Sequence, residues 1–131
     1  MVRHRGIGVT DTFWCPPGGG IQFGEKAHQA LVREFLEETG LDVEVGNLLF
    51  VNEFMQPPLH AMELFFQVNI VGGEIKLGYD PEMEEGTQII TEVELMTLEQ
   101  IKSHPLEEVH RLFQYCDSLD DVFALQGYLS N

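Results

Sequence analysis

The spacing of apolar positions changes several times along this chain, and each change marks an element. Leu31 and Phe35 lie four residues apart with Ala27 one turn earlier, a stripe of helical period that predicts a helix near Glu25–Thr39. Gly40 follows at once, where a helix end calls for a residue in the left-handed region. Upstream, Ile7, Val9 and Phe13 read as an early strand, and Trp14-Cys15-Pro16-Pro17-Gly18-Gly19-Gly20 reads as a loop. Downstream, Leu41–Val45 and Leu48–Phe54 predict strands broken by Gly46-Asn47. Gln56-Pro57-Pro58-Leu59 predicts a loop, and Ala61–Val71 a long apolar strand ended by Gly72-Gly73.

The second half is patterned less strongly. Gly78–Gly86 reads as an acidic loop and Gln88–Met96 as a strand. Thr97, with Gln100 at the reciprocal position, predicts a capped helix that ends near His104-Pro105. A second helix is predicted from about Leu106 to Cys116, and Ser118–Asn131 reads as a short helix with a frayed end. The chain has no repeats, linkers or low-complexity tracts, so residues 1–131 are expected to form one domain. Mixed strands flanked by helices predict an α/β/α sandwich with a mixed sheet.

Chemistry enters with the polar side of the first helix. Glu34, Glu37 and Glu38 stand at i, i+3 and i+4 and must share a helix face. Like charges so placed repel by a few tenths of a kcal/mol per pair, roughly, even when exposed. Such a cluster in isolation is as often a solvated face as a ligand set, but here a run of three glycines precedes it. Glycines allow close approach of backbone groups to a metal or a phosphate. The clustered donors are all oxygen, which favours Mg²⁺ or Mn²⁺ over zinc. A glycine loop followed by an acid-edged helix suits metal-assisted chemistry on a phosphate.

The stretch from Gly19 to Leu41 closely resembles the signature of the Nudix hydrolases. It reads Gly19, five residues, Glu25, seven residues, then Arg33-Glu34-Phe35-Leu36-Glu37-Glu38-Thr39-Gly40-Leu41, and every constrained position is filled. Trp14 and Pro17-Gly18-Gly19 also look like that family's approach to its signature. The resemblance implies a Nudix-type fold and metal-dependent hydrolysis of a nucleoside diphosphate linked to another group. It implies that Glu34, Glu37 and Glu38 ligate the metal, with Glu34 either a ligand or the base that activates water. It further implies that the carbonyl of Gly18 completes the metal shell and that Arg33 holds the neighbouring carboxylates, so Arg33, Glu34, Glu37 and Glu38 form the catalytic set. Glu25, placed opposite the acidic edge on a helical wheel, is expected to support the helix start. Trp14 is expected to pack beneath the helix rather than stack on a base.

Charge narrows the partners. The formal net charge is −15, from 22 acidic against 7 basic residues. That argues against a nucleic-acid polymer or an anionic membrane as a partner, because neither finds a basic patch. A small nucleotide remains a fitting substrate if cations accompany it. No signal peptide and no apolar run near 18 residues is present, so a cytoplasmic protein is expected. Cys15 and Cys116 have no metal-ligand spacing and are expected to be reduced.

Only 18 residues precede Gly19, fewer than the resemblance leads one to expect. A sheet shortened at its N-terminus, or a homodimer whose partner covers the exposed edge, are the two expectations. In the acidic loop, Glu82, Glu84 and Glu85 are candidates for a further ligand or base, and Glu85 is assigned to the metal. Glu53, Glu63 and His60 are further residues that could face the site, and Pro57, 16 residues beyond the signature, is reminiscent of an ADP-ribose-cleaving branch. The substrate class expected is a nucleoside triphosphate or a nucleotide-sugar. The alternatives are a Nudix-fold nucleotide sensor without turnover and an acidic protein that binds basic partners.

Overall fold

The computed structural model describes residues 1–77 and 90–130. Its strands are β1 (Val2–Arg5), β2 (Thr12–Cys15), β3 (Leu41–Gln56), β4 (Leu59–Gly73), β5 (Ile90–Val93) and β6 (Gly127–Ser130), and its helices are α1 (Ala27–Thr39), α2 (Leu98–Lys102) and α3 (Asp120–Ala124). One antiparallel sheet has the order β2-β1-β5, and a mixed sheet has the order β4-β3-β6. In the mixed sheet β4 runs antiparallel to β3 and β6 parallel to it.

Alternation along β4 builds the layers. Neighbouring residues of a strand point to opposite faces. Phe65 stacks on Phe50 of β3 with ring centroids 4.6 Å apart, whereas Phe66 meets the edge of His28 on α1 at 5.0 Å. The Phe65 side carries the core of Trp14, Phe50, Ile101, Val109, Leu112 and Phe113. Helix α1 thus lies on one face of the long hairpin, and α2 with the turns after it lies on the other. Burying Phe50 completely contributes roughly 2–3 kcal/mol. This mixed α/β layering is the expected class, built from two small sheets rather than one.

The helix limits follow from local chemistry. Lys26 caps α1, and its amide donates to Oε1 of Gln29 at 2.9 Å. Gly40 ends α1 at φ 76°, with its amide bonded to the Leu36 carbonyl at 3.0 Å. Thr97 caps α2 as expected: its hydroxyl accepts from the Gln100 amide at 3.2 Å, and the Gln100 side chain accepts from the Thr97 amide at 2.8 Å.

Several elements differ from expectation. Ile7 and Val9 lie in the turn between β1 and β2, with Val9 exposed, so the early strand is instead a hairpin pairing Val2 with Cys15 and Arg5 with Thr12. Gly46-Asn47 does not break β3; the strand continues through a register shift against β4. The expected helix from Leu106 to Cys116 is two 3₁₀ turns, Leu106–Glu108 and Arg111–Tyr115. In the tail the expected short helix is α3, and Gly127–Ser130, read as frayed, instead pairs with Phe50–Glu53. Trp14 is buried against α2 and the 3₁₀ turns, where its ring lies 5.4 Å from that of His104. The expected acidic loop, including Glu82, Glu84 and Glu85, and the first two residues of the strand predicted from Gln88 lie outside the described residues. Among the described residues no helix is long and apolar enough to cross a membrane.

Candidate active site

Arg33 organises the acidic edge of α1. Its Nε donates to Oε2 of Glu25 at 2.8 Å and its Nη2 to Oε1 of the same residue at 3.1 Å. Nη1 sits between the other two acids, donating to Glu34 Oε1 at 2.9 Å and Glu37 Oε2 at 3.0 Å. Nη2 also reaches the Gly20 carbonyl at 3.1 Å, which ties the glycine loop to the helix. One guanidinium therefore serves three carboxylates, a use of its planar fork that an ammonium could not reproduce. Its hydrogen bonds raise the pKa of Arg33, and the carboxyl of Glu25 is drawn down to about 2, first by Arg33 and then by the Gln22 amide.

Glu25 precedes α1, which begins at Ala27. The helical-wheel argument therefore does not apply to it, and the loop carries it round to Arg33 on the same side as Glu34 and Glu37. Glu38 behaves differently from its neighbours. Its residue is only 6% exposed, and it accepts a hydrogen bond from the Gly18 amide at 3.3 Å. Ala30, Glu38 and Thr39 are the buried residues of α1, while Leu31 and Phe35 of the predicted apolar stripe are half-buried.

The glycine loop is shaped to the acids. A Cβ on Gly19 would lie 2.4 Å from the carboxyl carbon of Glu34, so this carboxylate occupies the space that a side chain would need. Glu34, Glu37, Glu38 and Gly18 are thus adjacent along one loop–helix junction. The three carboxylates do not converge on a point: among the described residues, no three His, Cys, Asp or Glu side chains gather closely enough to hold a metal ion together. Glu34 and Glu37 both accept from Nη1 of Arg33, while Glu38 accepts from the Gly18 amide.

Beside this junction lies β2. The Cys15 thiol is 3.5 Å from Nδ1 of His4. Burial pushes the Cys15 thiol up, and the carboxylates of Glu38 and Glu63 push the same way. Burial lowers the pKa of His4, a group on β1. Glu63 thus stands within electrostatic reach of Cys15. Glu53 and His60 do not join the site; they pair with each other at 2.7 Å near the end of the long hairpin, where the Tyr128 hydroxyl also donates to Glu53. Pro57 forms, with Pro58, the loop between β3 and β4.

Sequence reasoning did not single out Asn52 and His110, which bond Glu63, or Arg111, which bonds Asn52. For Asn52 the available signal was a polar residue on an inward position of an otherwise apolar strand, since a buried polar group requires partners; His110 and Arg111 open a 3₁₀ turn and carried no such signal.

Residues 1–114 match the family model of the NUDIX domain. The chain is 39% identical over 71 residues to an ADP-ribose pyrophosphatase of Methanocaldococcus jannaschii, a match covering 53% of this chain and 42% of that protein. It is 34% identical over 80 residues to the NAD-capped RNA hydrolase NudC of Pectobacterium carotovorum, covering 61% of this chain and 27% of the relative. A crystal structure of a UDP-X diphosphatase superposes with a TM-score of 0.60 at 18% identity, covering 97% of this chain and 59% of that one, a likeness of fold. The matched region is less than half the length of either curated relative.

Proposed function

The chain belongs to the NUDIX domain family, and from that membership we propose that it hydrolyses the pyrophosphate bond of a nucleoside diphosphate derivative, such as a nucleotide-sugar of the ADP-ribose kind or a nucleoside triphosphate. The observation that carries this reading is the junction of glycine loop and acid-edged helix, with Arg33 bridging Glu25, Glu34 and Glu37 and the Glu34 carboxylate filling the space over Gly19. The matched relatives that act on ADP-ribose and on NAD-capped RNA support a pyrophosphate as the scissile group.

The donor chemistry suits a divalent cation. Glu34, Glu37 and Glu38 offer hard oxygen ligands, and the peptide of Gly18 stands beside Glu38. Side-chain exposures of 15% for Glu34 and 26% for Glu37 keep both reachable from solvent. These three residues and the Gly18 carbonyl would hold Mg²⁺ or Mn²⁺, which supplies charge neutralisation at the pyrophosphate and a more acidic water. Arg33 orients Glu34 and Glu37, and the glycine loop lets phosphate oxygens approach the backbone. Glu34 either completes that ligand set or takes the proton of the attacking water, with Glu37 and Glu38 as ligands in both cases.

Phosphate release from a panel of nucleotides and nucleotide-sugars tests this reading, with inorganic pyrophosphatase added to reveal triphosphate cleavage and alkaline phosphatase to reveal cleavage of capped diphosphates. Turnover should require Mg²⁺ or Mn²⁺ and should fall by about 100-fold or more in Glu38→Gln while the variant stays folded. A folded, cation-supplied protein silent across the panel would refute hydrolysis and favour a nucleotide sensor.

A further inference from the structure

Two polar residues interrupt the apolar inner face of the long hairpin. Phe50, Asn52 and Phe54 of β3 stand opposite Phe65, Glu63 and Ala61 of β4, so Asn52 and Glu63 are cross-strand partners flanked by rings. Asn52 is 1% exposed and His110 2%, and both are hydrogen-bonded. The Leu112 amide donates to Nδ1 of His110 at 3.2 Å, so the ring carries its proton on Nε2, which donates to Oε2 of Glu63 at 2.8 Å. Arg111 donates from Nε and Nη2 to Oδ1 of Asn52 at 3.2 and 3.1 Å. That fixes the amide orientation and directs Nδ2 to the same Oε2 of Glu63 at 2.8 Å.

Among the described residues, both bonds received by Glu63 fall on one oxygen. A carboxylate offers about four acceptor positions, two per oxygen, so Oε2 is saturated and the capacity left is that of Oε1. The side chain is 31% exposed, in contrast to the buried groups that hold it. Burial by itself would push the Glu63 carboxyl up, but the bonds from His110 and Asn52 and the charge of Arg111 outweigh it and leave it below the usual carboxylate range. Rings surround the anchor: Phe13, Phe54 and Phe65 lie 6.2, 6.3 and 5.3 Å from His110, ring centre to ring centre. Phe54 and Phe65, both half-buried, flank the Asn52–Glu63 pair on this face, and an oriented anionic acceptor on such a shelf of rings complements a flat ring that carries N–H donors.

We propose that Glu63 is the specificity-determining acceptor of a nucleobase subsite on this shelf, with His110 and Asn52 as its positioning residues, and that the subsite takes a base bearing an exocyclic amine. Adenine, guanine and cytosine each present such an amine. Uracil presents a single ring N–H between two carbonyl oxygens, which would face the carboxylate and repel it. The proposal rests on the hydrolase reading only in taking a nucleotide as the ligand.

Binding of the four uncharged nucleosides to the intact chain, followed by NMR titration in metal-free buffer with chelator, tests it. These ligands have no phosphate, so the acidic edge of α1 and its cation do not enter. Wild-type protein should bind the best of adenosine, guanosine and cytidine about tenfold or more tighter than uridine, and Glu63→Gln should reduce that preference to about twofold. Equal affinity for uridine, no binding of any nucleoside, or a preference retained in folded Glu63→Gln would each overturn the proposal. The wild-type preference decides by itself if the variant does not fold. Discrimination as expected, in a protein that hydrolyses nothing, would leave the subsite standing and remove the hydrolase; hydrolysis without discrimination would do the reverse.

Discussion

Arg33 and Glu25, eight residues apart, face each other through two hydrogen bonds, from Nε and Nη2 to the two oxygens of one carboxylate. This pairing uses the side edge of the guanidinium and leaves Nη1 for Glu34 and Glu37. Glu25 thereby sets the angle at which Arg33 meets the acidic edge of α1.

Arg33→Lys should consequently fold and lose turnover. An ammonium retains the charge but cannot join Glu25 bidentately and bridge Glu34 and Glu37 together. We expect a fall in kcat of about tenfold to 100-fold with the melting temperature changed by only a few degrees. Steady-state kinetics beside thermal melts would check this, and wild-type kcat in Arg33→Lys would refute the orienting role.

The same pair should shape the acid limb of stability. The Glu25 carboxyl is held at about 2 against an ordinary 4.5, chiefly by Arg33. A lowered native-state value means that the contribution is fully present above the unfolded value and is lost as the pH falls from 4.5 toward 2. The melting-temperature difference between wild type and Glu25→Gln should therefore be constant at neutral pH and shrink across that window. A difference that grew with acid would contradict the pairing.

Gly19→Ala should damage activity more than folding. Its new Cβ would meet the Glu34 carboxyl carbon at 2.4 Å, and that group is the far end of a flexible side chain that can swing aside. Displaced, Glu34 leaves Arg33. Turnover should fall about tenfold or more, while circular dichroism and melting stay near wild type.

Gly40→Ala should do the opposite. At φ 76° a side chain is strained, and the Cβ would lie 2.5 Å from the Glu74 carbonyl, a backbone atom that cannot step aside cheaply. A loss of about 1–3 kcal/mol is expected from the backbone conformation alone, read as a lower denaturant midpoint. An unchanged midpoint would show that the α1 terminus relaxes.

Features encoded within a few residues were legible before the fold was known. The spacing of Glu25, Arg33, Glu34, Glu37 and Glu38 identified the signature, Gly40 marked the helix stop, and Thr97 with Gln100 marked the start of α2, because caps and i to i+4 neighbours are local. Tertiary structure decided the rest. The pairing of Gly127–Ser130 with β3 joins residues nearly 80 apart, so a segment read as frayed becomes a strand only when Phe50–Glu53 offers it an edge. Glu38 and Glu34 are equivalent on a helical wheel, yet Glu38 is buried against the Gly18 amide because the loop folds back over it. Glu63 meets His110 across 47 positions of sequence, and no local pattern in either segment specifies that contact. What decided these outcomes is the burial of polar groups at long range, where each must find a partner that only the folded chain brings near.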